Sequence, residues 1–180
     1  MIKAIKPENW EEYELIDSGN GMKLEKFAGQ ILSRPEPQAI WNTRMSQKEW
    51  KDILTASFAQ EGSHKGVWNH VSKLRPWYIH YKLSDQRIKM KLNFTQFKHV
   101  GIFPEQAANW DYIYEKSRAF NGKGSVLNLF AYTGGASLAA KAAEMDVVHV
   151  DSIKQVVSWA NENQGHSKLK GIRWVVEDAL

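Results

Sequence analysis

The first part of the chain reads as β-rich and irregular. WEEYELID alternates around Trp10, Tyr13 and Leu15, and MKLEKF follows directly after Gly19-Asn20-Gly21. A two-residue period on either side of a glycine-rich turn predicts a β-hairpin. SRPEPQ then reads as a rigid extended connector, because each proline pushes the residue before it out of the helical region. At Ser46 the period lengthens. Ser46-x-x-Glu49 forms a capping box, and Trp50, Ile53, Leu54 and Phe58 recur at helical spacing. Gly62 and Gly66 flank a polar loop. WYIHYKL and QRIKMKLNF, joined through Ser84-Asp85, alternate again and predict a second hairpin. Pro104 opens a helix with an apolar face at Ala107, Trp110, Ile113 and Tyr114, and Asn121-Gly122-Lys123-Gly124 closes it.

From Ser125 onward the pattern is different. VLNLF, DVVHV and IRWVV are short apolar runs of strand length, and ASLAAKAAE and KQVVSWANEN between them have helical spacing. This alternation predicts a right-handed βαβαβ arrangement on a parallel sheet. The chain is therefore expected to be α/β, with a small β-rich α+β domain over 1–100 and a parallel-sheet domain over 101–180.

Composition narrows the class. At 43% hydrophobic the 180 residues can build a real core, and the lack of cysteine excludes disulfides and thiolate chemistry. No run of 18 apolar residues and no leader-like apolar segment occurs, so a cytoplasmic protein without a membrane span is expected. The net charge of +4 is concentrated. Residues 64–100 hold eight basic side chains against the single acidic Asp85. Lys65, Lys73, Arg75, Lys82, Arg87, Lys89, Lys91 and Lys98 are interleaved there with Trp68, Trp77, Tyr78, Tyr81, Phe94 and Phe97. Such a stretch suits phosphate attraction and base stacking. It equally suits a hairpin with a solvated basic face and an aromatic core face, and the two readings are compatible. His64, His70 and His80 lack metal-ligand spacing, and no metal is expected. His99 and His149 read as packed or capping residues.

Candidate chemistry centres on VLNLFAYTGGASLAAKAAEMDVVHVD. In an open parallel sheet, ligands bind beyond the carboxyl ends of the strands. Thr133-Gly134-Gly135 falls there, where glycines allow close backbone approach and a helix N-terminus offers free N–H groups to a carboxylate. Asp151 ends the next strand, where a carboxylate can accept hydrogen bonds from ribose hydroxyls. Asp178 follows the third strand, within reach of a purine. Glycine turns are common in α/β folds, and Asp151 could simply cap the next helix. Turn, spacing and acid together favour a nucleoside-containing cofactor. The G-x-G-x-x-G fingerprint of nicotinamide cofactors is absent.

VLNLFAYTGGASLAAKAA, HVDSIKQVVSWANEN and IRWVVEDAL resemble class I S-adenosylmethionine-dependent methyltransferases, and in particular the branch that methylates 23S ribosomal RNA bases. FKHVGIFPEQAANWDYI resembles the segment preceding the Rossmann-like domain in that branch. The resemblance covers about 95–180 most closely and implies a Rossmann-like sheet. It places Asn128, Phe130, Ala131, Tyr132, Thr133, Gly134 and Gly135 around the methionine end of S-adenosyl-L-methionine. It places Asp151 at the ribose with Ser152 beside it, and Asp178 and Ala179 at the adenine. Phe103 and Gln106 would border the cofactor.

The resemblance also implies more chain than is present. Family members continue into a strand ending in a D-P-P-type motif that carries much of the chemistry, and no DPP occurs here. The expected reading is an incomplete sheet of about three βα units that holds the cofactor. The catalytic residues would lie beyond Leu180, and this chain alone would be inactive. Its first strand would then have an open edge, a route to self-association. Two other readings stay open: a methyltransferase acting on a protein or small molecule, and a non-enzymatic RNA-binding module on the same scaffold.

Overall fold

The computed structural model describes residues 6–62, 65–69 and 76–180. His64, His70, Lys73 and Arg75 of the basic stretch lie outside the described residues. The chain divides into two compact units, and they are not contiguous in sequence. One comprises residues 12–79 and 92–100; the other comprises 1–11, 80–91 and 101–180. A single dividing line near residue 100 therefore misses two segments. The N-terminal residues and the 80–91 hairpin belong with the parallel-sheet unit, because Trp10 and Tyr81 stack edge-on against Trp110 of that unit.

The first unit is a five-stranded sheet in the order β1-β2-β3-β4-β5. Strands β1 (Tyr13–Gly19) and β2 (Met22–Phe27) form the expected hairpin around Asn20-Gly21. Three further strands were not anticipated. Residues of the expected connector form β3 (Gln30–Pro35), which pairs antiparallel with β2 through a turn at Ala28-Gly29, both with left-handed backbone. The expected helix is present but short. In α1 (Gln47–Ile53) Ser46 and Glu49 cap each other reciprocally, yet Leu54 is already extended and Phe58 lies on β4 (Ala56–Glu61). Gly66, expected in a loop, lies on β5 (Lys65–Asn69), where the Phe58 ring and the Ala59 carbonyl leave no room for a Cβ.

Two buried carboxylates hold this unit together. A bulge in β1 between Leu15 and Asp17 turns Asp17 inward. Its carboxylate accepts from the backbone N–H of Ser18 at 2.9 Å and of Met45 at 2.9 Å, and from Trp50 Nε1 at 3.0 Å. Burial alone would raise its pKa, but these donors outweigh burial and lower it below the ordinary value. Glu25, fully buried on β2, is gripped by Arg34 of β3 through Nε at 2.8 Å and Nη2 at 2.7 Å. Tyr13 donates to Glu25 as well.

The second unit contains the antiparallel pair β6 (Trp77–Leu83) and β7 (Gln86–Leu92), which reaches it from residue 80 onward. A single 3₁₀ turn over Pro104–Gln106 leads into α2 (Ala107–Arg118). Then come β8 (Ser125–Leu129), α3 (Gly135–Ala142), β9 (Asp146–Asp151), α4 (Lys154–His166) and β10 (Ile172–Val176). The three strands are parallel in the order β10-β9-β8, as the alternation predicted. One face is deeply buried, with Val147 and His149 fully enclosed. On the opposite face Leu127 is 62% and Leu129 42% exposed, and β8 is an edge strand. No helix among the described residues is long and apolar enough to cross a membrane.

Removing Arg34 would leave the Glu25 carboxylate buried with only weak partners. Arg34→Met is expected to destabilise the first unit by about 3 kcal/mol. Urea unfolding followed by circular dichroism reads this as a lower midpoint; an unchanged midpoint would mean that the pair does not hold β2 to β3.

Candidate functional site

The end of β8 runs into a turn whose backbone is unusual for its residues. Phe130 and Tyr132 both have positive φ, at 52° and 50°, and Gly134 follows at 94°. Left-handed backbone at bulky aromatic residues is strained, by about 1–3 kcal/mol each, and persists only where the surroundings enforce it.

Those surroundings can be named. The Ala131 N–H donates to the Val150 carbonyl at 3.1 Å, and the Tyr132 N–H donates to Asp151 Oδ2 at 2.9 Å. The Thr133 hydroxyl donates to the Gly101 carbonyl, while the Thr133 carbonyl accepts from Asn163 Nδ2 at 2.9 Å. Asn163 is fully buried on α4, and its Oδ1 accepts from the Lys91 N–H of β7 at 2.8 Å. At roughly 0.5–1.5 kcal/mol net for each bond, this set offsets two strained residues.

Glycine is required at two positions of the turn. A Cβ on Gly134 would come within 3.2 Å of Ala160 in a left-handed conformation, and one on Gly135 would lie 2.5 Å from the Trp110 ring. Trp110 is itself fixed, being only 4% exposed and packed on Trp10 and Tyr81. Tyr81 hydrogen-bonds Asp111, and burial ahead of that bond raises the tyrosine pKa.

This turn walls one side of a cavity of about 520 Å³ whose lining belongs entirely to the second unit. Ligand pockets run from roughly 300 to 1,000 Å³. Of the sequence-derived candidates, Asn128 and Phe130 through Gly135 line it, as do Phe103 and Gln106. Asp151, Ser152, Asp178 and Ala179 do not. Asp151 lies behind the turn, where Oδ2 holds Tyr132 and Oδ1 accepts from the Ile153 N–H at 3.0 Å. Asp178 is exposed, and its Oδ1 accepts from the Leu180 N–H at 3.1 Å.

Sequence reasoning missed Met90, Ile102, Glu105, Trp110, Leu129 and Ala136 in the lining. For Trp110 a signal existed, since it is a large residue on the apolar face of α2. Met90 comes from a distant hairpin, and nothing local marks it.

The chemistry offered is specific. The first turn of α3 has no side-chain cap, and Gly134, Gly135 and Ala136 line the cavity, so this helix start is placed to offer N–H donors to an anionic group. Asn128 adds a neutral polar group. The cradle is shaped by two missing Cβ atoms and by aromatic residues. It fits a ligand with a carboxylate end and a flat ring.

No family model matches the chain. It is 26% identical over 194 residues to a ribosomal RNA large subunit methyltransferase K/L of Shewanella frigidimarina, covering 96% of this chain and 26% of that protein. Among solved structures it is similar to an S-adenosylmethionine-dependent methyltransferase from Agrobacterium tumefaciens, at 35% identity and TM-score 0.88, over 99% of this chain and 57% of that one. A protein assigned as a methyltransferase and solved with S-adenosylhomocysteine shares the fold, at TM-score 0.64 and 16% identity, over 96% of this chain and 47% of that one. The chain thus spans about a quarter of the length of the curated relative it matches and just over half of the Agrobacterium chain. In sequence and in fold it resembles class I S-adenosylmethionine-dependent methyltransferases, and the α/β architecture read from the alternation is theirs.

If Trp110 braces the turn, Gly135→Ala must displace the ring. A loss of about 1–3 kcal/mol is expected from such overpacking. Thermal melting of the variant checks it, and an unshifted transition would show that the ring yields freely.

Proposed function

We propose that the chain carries the cofactor-binding elements of an S-adenosylmethionine-dependent methyltransferase acting on a base in ribosomal RNA. The observation that carries this reading is the cavity beneath the strained 130–135 turn, where Asn128 and residues 130–135 come together. The amino-acid end of the cofactor would lie there, its carboxylate toward the first turn of α3. Phe103 and Gln106 would border it from the other side. Asp151 would receive the ribose hydroxyls, and Ser152, Asp178 and Ala179 would flank the rest of the nucleoside. When bound, the cofactor supplies an electrophilic methyl group. The protein's contribution is to fix that group's position and exclude water around it.

The substrate class rests on the names of the relatives and on the basic stretch. Within 64–100, Lys91 is tied to Glu162 at 2.6 Å and Arg87 to Glu11 at 3.6 Å, so part of the charge is already balanced internally. Lys82 is exposed. RNA contact through this stretch is part of the proposal, as is self-association along the open β8 edge, where Leu127 and Leu129 are exposed. A cytoplasmic setting follows from an RNA substrate of this kind.

Calorimetric titration with S-adenosylmethionine tests the reading. Saturable one-site binding is expected, weakened about tenfold or more in Asp151→Ala, the order expected for hydrogen bonds to a charged group. A parallel melt of the variant separates a lost ligand contact from a collapsed turn. Absence of heat with the unsubstituted protein would sink the cofactor assignment.

A further inference from the structure

The cavity wall is supported from behind by a buried chain of polar groups. Asn128 donates from Nδ2 to Ser137 Oγ at 2.8 Å. Ser137 Oγ is in turn 3.0 Å from His149 Nδ1. Ser137 and His149 are both fully buried, and His149 Nε2 has no hydrogen-bond partner among the described residues.

Hydrogen-bond roles along this chain are constrained. An amide NH₂ only donates, so Ser137 Oγ accepts from Asn128. The one hydroxyl hydrogen of Ser137 is then free to go to Nδ1. Burial, the dominant effect, pushes the His149 pKa down to about 4, so the ring is neutral and one nitrogen must accept. The Asp151 charge and a hydrogen bond to the Tyr132 backbone oppose burial and favour the protonated ring, but burial prevails. With the Ser137 hydrogen directed to Nδ1, the lone pair of the neutral ring is on Nδ1 and its own proton on Nε2. The direction of donation therefore runs from Asn128 to Ser137 to His149. Asn128 lines the cavity, and with Nδ2 turned to Ser137 its Oδ1 is the side-chain acceptor left for a ligand.

We infer that Ser137 and His149 are positioning residues. They lock the Asn128 amide with its carbonyl oxygen toward the cavity, so that the site selects a ligand with an ammonium group at that point. The inference rests on the cofactor reading above, and it deepens it. The free N–H groups of α3 take the carboxylate of an amino acid, and the fixed Asn128 Oδ1 takes its ammonium. A freely turning amide would offer its NH₂ to the cation half of the time and repel it.

The test compares two probes by calorimetry on the whole chain. S-adenosylhomocysteine carries the amino-acid group; 5′-methylthioadenosine has the same nucleoside and sulfur but lacks it. Ser137→Ala removes one oxygen, and His149→Leu removes the acceptor. Both are expected to weaken S-adenosylhomocysteine by about three- to tenfold, the range of one lost hydrogen bond, with 5′-methylthioadenosine unchanged. His149→Asn, which can offer an acceptor oxygen at the δ position, is expected to restore near-normal selectivity. Equal weakening of both probes in Ser137→Ala would reduce the chain of bonds to a support for the fold and overturn the inference. Unaltered affinity for both would overturn it too. Failure of the unsubstituted protein to bind either probe would overturn the cofactor reading itself, and this inference with it.

Discussion

The 130–135 turn depends on backbone that its own side chains oppose. Phe130 and Tyr132 are left-handed, and neither is glycine or asparagine, the residues that enter that region at low cost. The strain is met by contacts from widely separated parts of the chain: the Gly101 carbonyl, the Asp151 carboxylate and the Asn163 amide. None of these is local to the turn. The cavity therefore exists only once β9, α4 and the segment before α2 are in place. Asn163 extends the dependence further, since the same amide that holds Thr133 also receives the Lys91 N–H of β7. One fully buried side chain thus ties β7, α4 and the 130–135 turn into a single packing problem. A buried amide with both ends satisfied is stabilising, whereas one left half-satisfied would be worse than an apolar residue.

How much of this could be read from the sequence follows from which signals are local. The parallel-sheet part was legible, because apolar runs of strand length alternate with helical spacing and the glycines mark the turn. The capping box at Ser46 and Glu49 was legible for the same reason: its partners are three residues apart. In the β-rich unit the first hairpin was legible too, but β3, β4 and β5 were not. Residues 33–38 look like a proline-stiffened connector, yet the extended backbone that the prolines impose is also strand backbone, and the pairing of residues 30–35 with β2 is decided by distant residues. Phe58 falls at helical spacing from Trp50 and Leu54 by coincidence; Thr55 and Ala56 leave the helix because the Thr55 N–H is taken by the Ile31 carbonyl. Sequence spacing cannot see such a partner.

The basic stretch shows the same limit in electrostatics. Its alternation is real, with Ile88, Met90 and Leu92 buried and Arg87 exposed between strand neighbours. Charge counting alone treated every lysine and arginine as available. Glu11 and Glu162, both remote in sequence, neutralise two of them. These pairs are exposed enough that each contributes little to stability, but they lower the local field that a phosphate backbone would meet.

Asp151 exposes a weakness in treating structural and functional roles as rivals. Its two oxygens accept from the Tyr132 and Ile153 N–H groups, so it does cap and brace. A carboxylate, however, has about four acceptor positions, and two bonds leave about two for a ligand's hydroxyls. The backbone donors also hold the group in one orientation, which reduces the entropy lost when a ligand binds. The same logic applies to Asn128, whose Nδ2 is spent on Ser137, leaving Oδ1 as its remaining acceptor. In both residues the internal hydrogen bond is what gives the remaining acceptor a defined direction. On the proposed cofactor reading, the side chains that brace the turn are the same ones that would read the ligand, so fold and recognition would draw on the same hydrogen bonds.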